Sequence, residues 1–300
     1  MSRNNPFRGM GVALVTPFKA DHTIDFVALE QLLRFHLNNG TDFLCILGTT
    51  AETPCLSQEE QCQVMHLAQQ VVGGKIPLLL GFGGNNTSAI VQRLRTTDLS
   101  GWNGLLVVTP YYNKPSQEGL FLHYREIAQA TTLPIVLYNV PSRTGVNLKT
   151  ATTLRIANEC HNVVAVKEAS GNLEQIKGII DNAPAGFQVL SGDDSLTLDI
   201  LTLGGVGVIS VLGNVYPAQF RKMVHAQLEG NHPLAQRLHQ RFEEMYRLLS
   251  VEGNPTGVKC FLNHCGLIAN ELRLPLVPAS EGTCQLISKF VSEAHDDLML

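Results

Sequence analysis

The sequence predicts an α/β fold, a closed (β/α)₈ barrel with a C-terminal helical extension, on three observations. Eight nearly continuous apolar runs of strand length recur along the chain, an amphipathic helical pattern follows each, and no G-x-G-x-x-G follows the first run. Apolar runs with little alternation suit parallel strands covered on both faces. The length agrees: the chain has 300 residues, and such a barrel uses about 250.

The first run, VALVTPF (12–18), leads into Leu29, Leu32, Leu33 and Leu37, which form one helical face after Asp25. The second, FLCILG (43–48), precedes Ser57 and Glu60, spaced as a capping box. The third is PLLLGFGG (77–84), whose GFGG is not a nucleotide fingerprint. LLVVTP (105–110), PIVLYNV (134–140), VVAVKEAS (163–170), FQVLSGDD (187–194) and VGVISV (206–211) complete the eight. The eighth unit ends near residue 228, which gives a barrel over 1–228 and an extension over 229–300. In the extension Pro233 opens a helical pattern with Leu234, Leu238, Phe242, Met245 and Leu249 on one face. GNPTGVKCFLNHCGL and a final helix near 280–296 follow. Two or three helices are expected, with no linker that would free them from the barrel.

Composition narrows the function. Hydrophobic residues make up 44% and charged residues 16%, with a net charge of -4, which suits a well-buried globular protein. No basic stripe offers the charge that nucleic acid requires. The N-terminus lacks an apolar signal-peptide core and no run reaches membrane-span length, so a cytoplasmic location is expected. Seven cysteines without C-x-x-C spacing read as reduced thiols. Cys260, His264 and Cys265 come nearest to a metal cluster, but their segment is apolar enough that core packing is the expectation, and no metal.

Barrel enzymes place their chemistry where the strands end. The polar residues there are Thr49, Thr50 and Glu52 after the second run, Tyr111, Tyr112 and Asn113 after the fourth, and Tyr138, Asn139 and Arg143 after the fifth. Lys167 and Glu168 end the sixth, and SGDD the seventh. Lys167 follows four apolar residues, so its amine is expected near the barrel mouth, where burial disfavours an ammonium. A neutral amine attacks a ketone to form a Schiff base, an electron sink for carbon–carbon chemistry. The alternative for Lys167 is an ion pair with Glu168 or Glu52. Tyr138 reads either as a core tyrosine with a backbone partner or as a proton shuttle assisted by Thr49 and Tyr112. Thr49 and Thr50 read either as turn residues or as donors to a carboxylate, and Arg143 as a surface residue or a bidentate carboxylate clamp. No histidine lies in these segments, which counts against a serine triad or a zinc hydrolase.

Taken together, GTTAE, TPYYNKPSQEG, LYNVPSRTG, VVAVKEASGN and LSGDD resemble the dihydrodipicolinate synthase family, over nearly the whole chain. The resemblance implies a cofactor-free Schiff-base lyase that condenses pyruvate with L-aspartate 4-semialdehyde, assembled as a homotetramer of tight dimers. It implies that Lys167 forms the imine and that Tyr138, Thr49 and Tyr112 relay protons, Tyr112 reaching into the partner's site. Thr50 then contacts the pyruvate carboxylate, Arg143 receives the semialdehyde, and Gly192 and Ile209 line the pocket with main chain. N-acetylneuraminate lyases and 2-keto-3-deoxy sugar acid aldolases share the lysine and the tyrosine, but VPSRTG keeps an arginine that their loop typically lacks. Two departures stand out. GTTAE carries Ala51 where many members have glycine, so a left-handed backbone there would be strained. Gln58, Gln61 and Ala89 replace two histidines and a glutamate of the lysine-inhibitor site, while Asn85 and Tyr111 match, so little or no inhibition by L-lysine is expected.

Overall fold

In the computed structural model, which describes residues 5–298, eight parallel strands close a barrel in sequence order, the first pairing with the last. They are β1 (Gly9–Ala13), β2 (Phe43–Ile46), β3 (Leu78–Gly81), β4 (Gly104–Val108), β5 (Ile135–Asn139), β6 (Val163–Glu168), β7 (Gln188–Ser191) and β8 (Gly207–Ser210). All eight runs overlap a strand, but β1 begins at Gly9, three residues before the expected VALVTPF. Glycine hid it: a side chain at Gly11 would collide with the Phe43 ring that fills this part of the interior. Leu14, Val15 and Phe18 stay buried beyond the strand end, where the backbone turns to other partners, such as Val15 N donating to Asn214 Oδ1 at 3.2 Å.

Helices cover the outside. α1 (Phe26–Asn38) follows β1 and buries Leu29, Leu32 and Leu33, with the Asp25 carboxylate accepting from the N–H groups of Val27 and Ala28. α2 (Gln58–Val72) starts on the Ser57–Glu60 capping box, which forms in both directions. α3 (Thr87–Thr96) and α4 (Gln117–Gln129) follow β3 and β4; the short α5 (Pro141–Thr144) precedes α6 (Thr150–Glu159) after β5. α7 (Leu173–Asn182), α8 (Thr197–Thr202) and α9 (Pro217–Leu228) complete the ring. No described helix is long and apolar enough to cross a membrane.

Beyond residue 228 the described residues form four helices where two or three were expected: α10 (His232–Arg241), α11 (Glu243–Ser250), α12 (Thr256–His264) and α13 (Glu281–Leu298). The apolar stripe from Leu234 to Leu249 is real but broken. At Phe242 the backbone stays right-handed (φ -94, ψ -4), but the regular helical hydrogen bonding breaks, its N–H turning to His239 O. α12 lies in the GNPTGVKC segment, whose glycines and proline masked its periodicity. It returns to the barrel mouth, where Lys259 and Arg273 meet the loop after β2.

Candidate active site

The sixth strand bears on the ion-pair alternative for Lys167. Side chains alternate along a strand, so Ala165 and Lys167 enter the barrel while Val166 and Glu168 face the helices. Glu168 is buried outside the barrel wall, accepting from Asn139 Nδ2 (2.9 Å), Gln175 Nε2 (3.0 Å) and Ser170 N (3.1 Å). Its burial raises the carboxyl above its ordinary range, and those hydrogen bonds oppose the rise. Glu52 is also engaged elsewhere, with Lys259 at 2.5 Å. Among the described residues no carboxylate pairs with Lys167, which is 5% exposed.

What Lys167 meets instead is Tyr138. The two are cross-strand partners in the β5–β6 register, and Lys167 Nζ lies 4.3 Å from the centroid of the Tyr138 ring. Beside the lysine stem Gly192 follows β7, and a Cβ there would sit 3.1 Å from Lys167 Cε. Glycine keeps that space open. Cys45 lies deeper inside; burial pushes its thiol up to about 11, against the opposing pull of Lys167. Ile209 of β8 is buried in the same interior cluster as Tyr138.

A cavity of about 410 Å³ opens at the strand ends, and its walls include Thr49, Tyr138, Arg143 and Tyr111. Thr49 begins a 3₁₀ turn (Thr49–Ala51) whose first N–H groups have no acceptor within the turn. The Thr50 side chain is buried away from the cavity, its hydroxyl accepting from Asn254 Nδ2 at 3.0 Å. Arg143 sits on α5 at the mouth and donates from Nη2 to Asn254 O at 2.9 Å. Asn254 thus ties Thr50 to Arg143, and it went unnoticed in GNPTGVKC because nothing in that segment marks it as near the barrel.

One expectation is corrected here. Ala51 is not left-handed; it lies within the 3₁₀ turn, its carbonyl accepting from Thr16 Oγ1 at 2.8 Å. The left-handed residue is its neighbour Glu52, at φ 54, so the extra methyl costs no backbone strain. Tyr112, which the resemblance assigns to a partner's site, stands apart from Tyr138 and Thr49 of its own chain. It is 89% exposed on a left-handed backbone (φ 72), and among the described residues no hydrogen bond joins the three hydroxyls.

With the geometry in place, a model of the dihydrodipicolinate synthetase family matches residues 6–294. The chain belongs to that family. Among family relatives, a 4-hydroxy-tetrahydrodipicolinate synthase of Azobacteroides pseudotrichonymphae is 55% identical over 282 residues, covering 94% of this chain and 95% of that one. A crystal structure of dihydrodipicolinate synthase from Thermotoga maritima superposes with a TM-score of 0.94 at 43% identity, covering 97% of this chain and 99% of the other. A family member from Cyanidioschyzon merolae, crystallised with lysine bound, superposes with a TM-score of 0.93 at 36% identity, covering 97% of this chain and 99% of the other. In the present chain Gln61 and Tyr111 line the cavity, and Asn85 Nδ2 donates to Tyr111 O at 3.2 Å. Ala89, on the first turn of α3, supplies no carboxylate there.

Proposed function

We propose that the protein condenses pyruvate with L-aspartate 4-semialdehyde, the 4-hydroxy-tetrahydrodipicolinate synthase reaction of diaminopimelate and lysine synthesis. The observation that carries this reading is a lysine inside the barrel, free of any described carboxylate and seated over a tyrosine ring beside an open cavity. Relatives that match nearly the whole chain and bear that enzyme's name support the substrates.

The Lys167 amine adds to the keto carbon of pyruvate, and loss of water gives an imine. The imine draws electrons from the methyl group, which loses a proton to become an enamine. That carbon bonds to the aldehyde carbon of the second substrate. The substrate's own amine then attacks the imine carbon, closing the ring and releasing Lys167. Tyr138 and Thr49 are assigned to proton transfer, with Tyr112 supplied by a second copy because its own copy holds it outward. Donors at the Thr49–Thr50 turn receive the pyruvate carboxylate, Arg143 receives that of the semialdehyde, and Gly192 and Ile209 shape the pocket by main chain and small volume. The imine is itself the electron sink, so the reaction needs no organic cofactor or metal.

On this assignment the working form is a homo-oligomer, a tetramer built from dimers that share Tyr112. Seven unpaired thiols suit a cytoplasmic location. L-lysine is a poor inhibitor, since Gln58, Gln61 and Ala89 offer its ammonium groups no carboxylate and Glu52 is committed to Lys259. A coupled assay with pyruvate and aspartate semialdehyde, run beside N-acetylneuraminate cleavage and titrated with L-lysine, tests the whole reading. Turnover of the semialdehyde, no cleavage and no inhibition at submillimolar lysine are expected. Preferential cleavage of the sugar acid would transfer the protein to the lyases.

A further inference from the structure

Lys259 belongs to the C-terminal extension, yet its side chain ends against a barrel loop. Its Nζ lies 2.5 Å from Glu52 Oε1, 2.9 Å from Glu271 O and 4.1 Å from the centroid of the Phe18 ring. Both charged side chains are 0% exposed. The other carboxylate oxygen of Glu52 accepts from Arg273 N at 3.0 Å. The Arg273 guanidinium in turn donates to Cys55 O at 2.8 Å and forks onto Glu60 at 2.7 and 2.5 Å. Two parts of the loop, at 52 and 55, and the first turn of α2 that follows it, at 60, are therefore held by the extension.

The loop in question begins with Thr49 and Thr50. Glu52 stands at the joint between the turn Thr49–Ala51 and a second 3₁₀ turn, Thr53–Cys55, in a left-handed conformation that glutamate adopts at a cost. Relaxing that joint would draw the carboxylate off Lys259 and leave two buried charges unpaired, which is strongly unfavourable. The same arithmetic makes the pair a poor device for stability alone, because an apolar pair of similar size is often as stable or more so. What the pair supplies is a fixed position for the loop.

We propose that Lys259 is a positioning residue for the reaction: through its buried ion pair with Glu52, the extension sets the loop that presents Thr49 and Thr50 to Lys167. This rests on the Schiff-base reading above. Lys259 and Glu52 touch neither cavity nor substrate; their effect passes through the two threonines. The relay hydroxyl and the carboxylate donors share this loop, whereas Arg143 stands on α5. Loosening the loop should therefore reduce kcat and weaken pyruvate binding while sparing the second substrate.

Lys259→Met alone strands the Glu52 carboxylate, so the deciding variant is Lys259→Met with Glu52→Gln, which removes both charges together. Active sites are counted by pyruvate trapped on Lys167 with borohydride, and rates are expressed per trapped site. We expect the double variant to trap pyruvate, with kcat per site lowered by about tenfold or more, as a displacement near 1 Å can cause. The KM for pyruvate should rise, and that for aspartate semialdehyde should change by less than about threefold. A purely structural pair would lower the melting temperature and the number of sites but leave kcat per site and both KM values as they were; that result overturns the proposal. Should the double variant fail to fold, Glu52→Asp decides in its place, since it keeps the charge and retracts the carboxylate by one carbon: a fall in kcat per site supports the proposal and an unchanged value overturns it. Absence of any Lys167 adduct in the unaltered protein would overturn the Schiff-base reading itself, and this proposal with it.

Discussion

Lys167 and Glu168 are adjacent in sequence and opposite in space, and that single step of a strand decides the chemistry of the site. A lysine one position later would face Asn139 and Gln175 among the helices, where Glu168 now sits. The strand-end position of Lys167 was legible from the four apolar residues before it, whereas the sequence left its pairing with Glu168 or Glu52 open. The fate of Glu52 was not legible, because its partner Lys259 lies more than two hundred positions away in a segment without strand-end signals. Asn254 was hidden for the same reason: its contacts with Thr50 and Arg143 join parts of the chain that only the closed barrel brings together. At this scale Arg143→Ala should leave pyruvate trapping on Lys167 intact and lower kcat/KM for aspartate semialdehyde by roughly tenfold to over a hundredfold. That corresponds to a lost charge-assisted contact of about 1.5–3 kcal/mol. Steady-state kinetics beside mass spectrometry checks it; equal damage to both steps would make Arg143 structural, through its bond to Asn254 O.

Elements were readable where apolar period and caps agreed. Each barrel strand lies within or beside an apolar run, and α1 and α2 start at the caps Asp25 and Ser57 that the sequence marks. Strand ends were less legible, because apolar residues such as Leu14 and Phe18 remain buried after the ladder stops. Hydrophobicity reports burial, and pairing is decided by the neighbouring strands. The extension was the least legible. Its stripe from Leu234 to Leu249 reads as one helix and folds as two, since a packing stripe survives a single break in the helical hydrogen bonding at Phe242. The lesson applies to the turn after β2 as well: the sequence marks Ala51 as the strained position, but the strain falls on Glu52, where a distant ion pair holds it.

The whole molecule carries a pH signature unrelated to catalysis. His36 is fully buried between α1 and the barrel, its Nδ1 3.1 Å from Thr41 Oγ1, and burial lowers it from 6.5 to about 3. His123, on α4 beside Thr87, is lowered to about 4 by burial. For a histidine depressed in the folded state, the unfolded chain binds the proton first. The stability is therefore complete above about pH 6.5 and is lost as pH falls toward the folded value, by about 2 kcal/mol per histidine at pH 5. Asp194, raised to about 6 by burial, acts in the opposite direction over the same range and offsets part of that loss. Comparing His36→Leu with the unaltered protein isolates one contribution. The fall in unfolding free energy between pH 7 and pH 5, from urea titrations, should be smaller by about 2 kcal/mol in the variant; an identical fall in both would show that His36 is protonated in the folded protein.

The central claim concerns one amine held inside the barrel, and it is tested most directly by treating the protein with pyruvate and borohydride and mapping the adduct by mass spectrometry. The account predicts a single pyruvate-derived mass on Lys167, lost in Lys167→Arg while the fold is kept, because a guanidinium stays protonated and cannot add to the ketone. Labelling of Lys259 or any other lysine in place of Lys167, or an adduct that persists in Lys167→Arg, would contradict it.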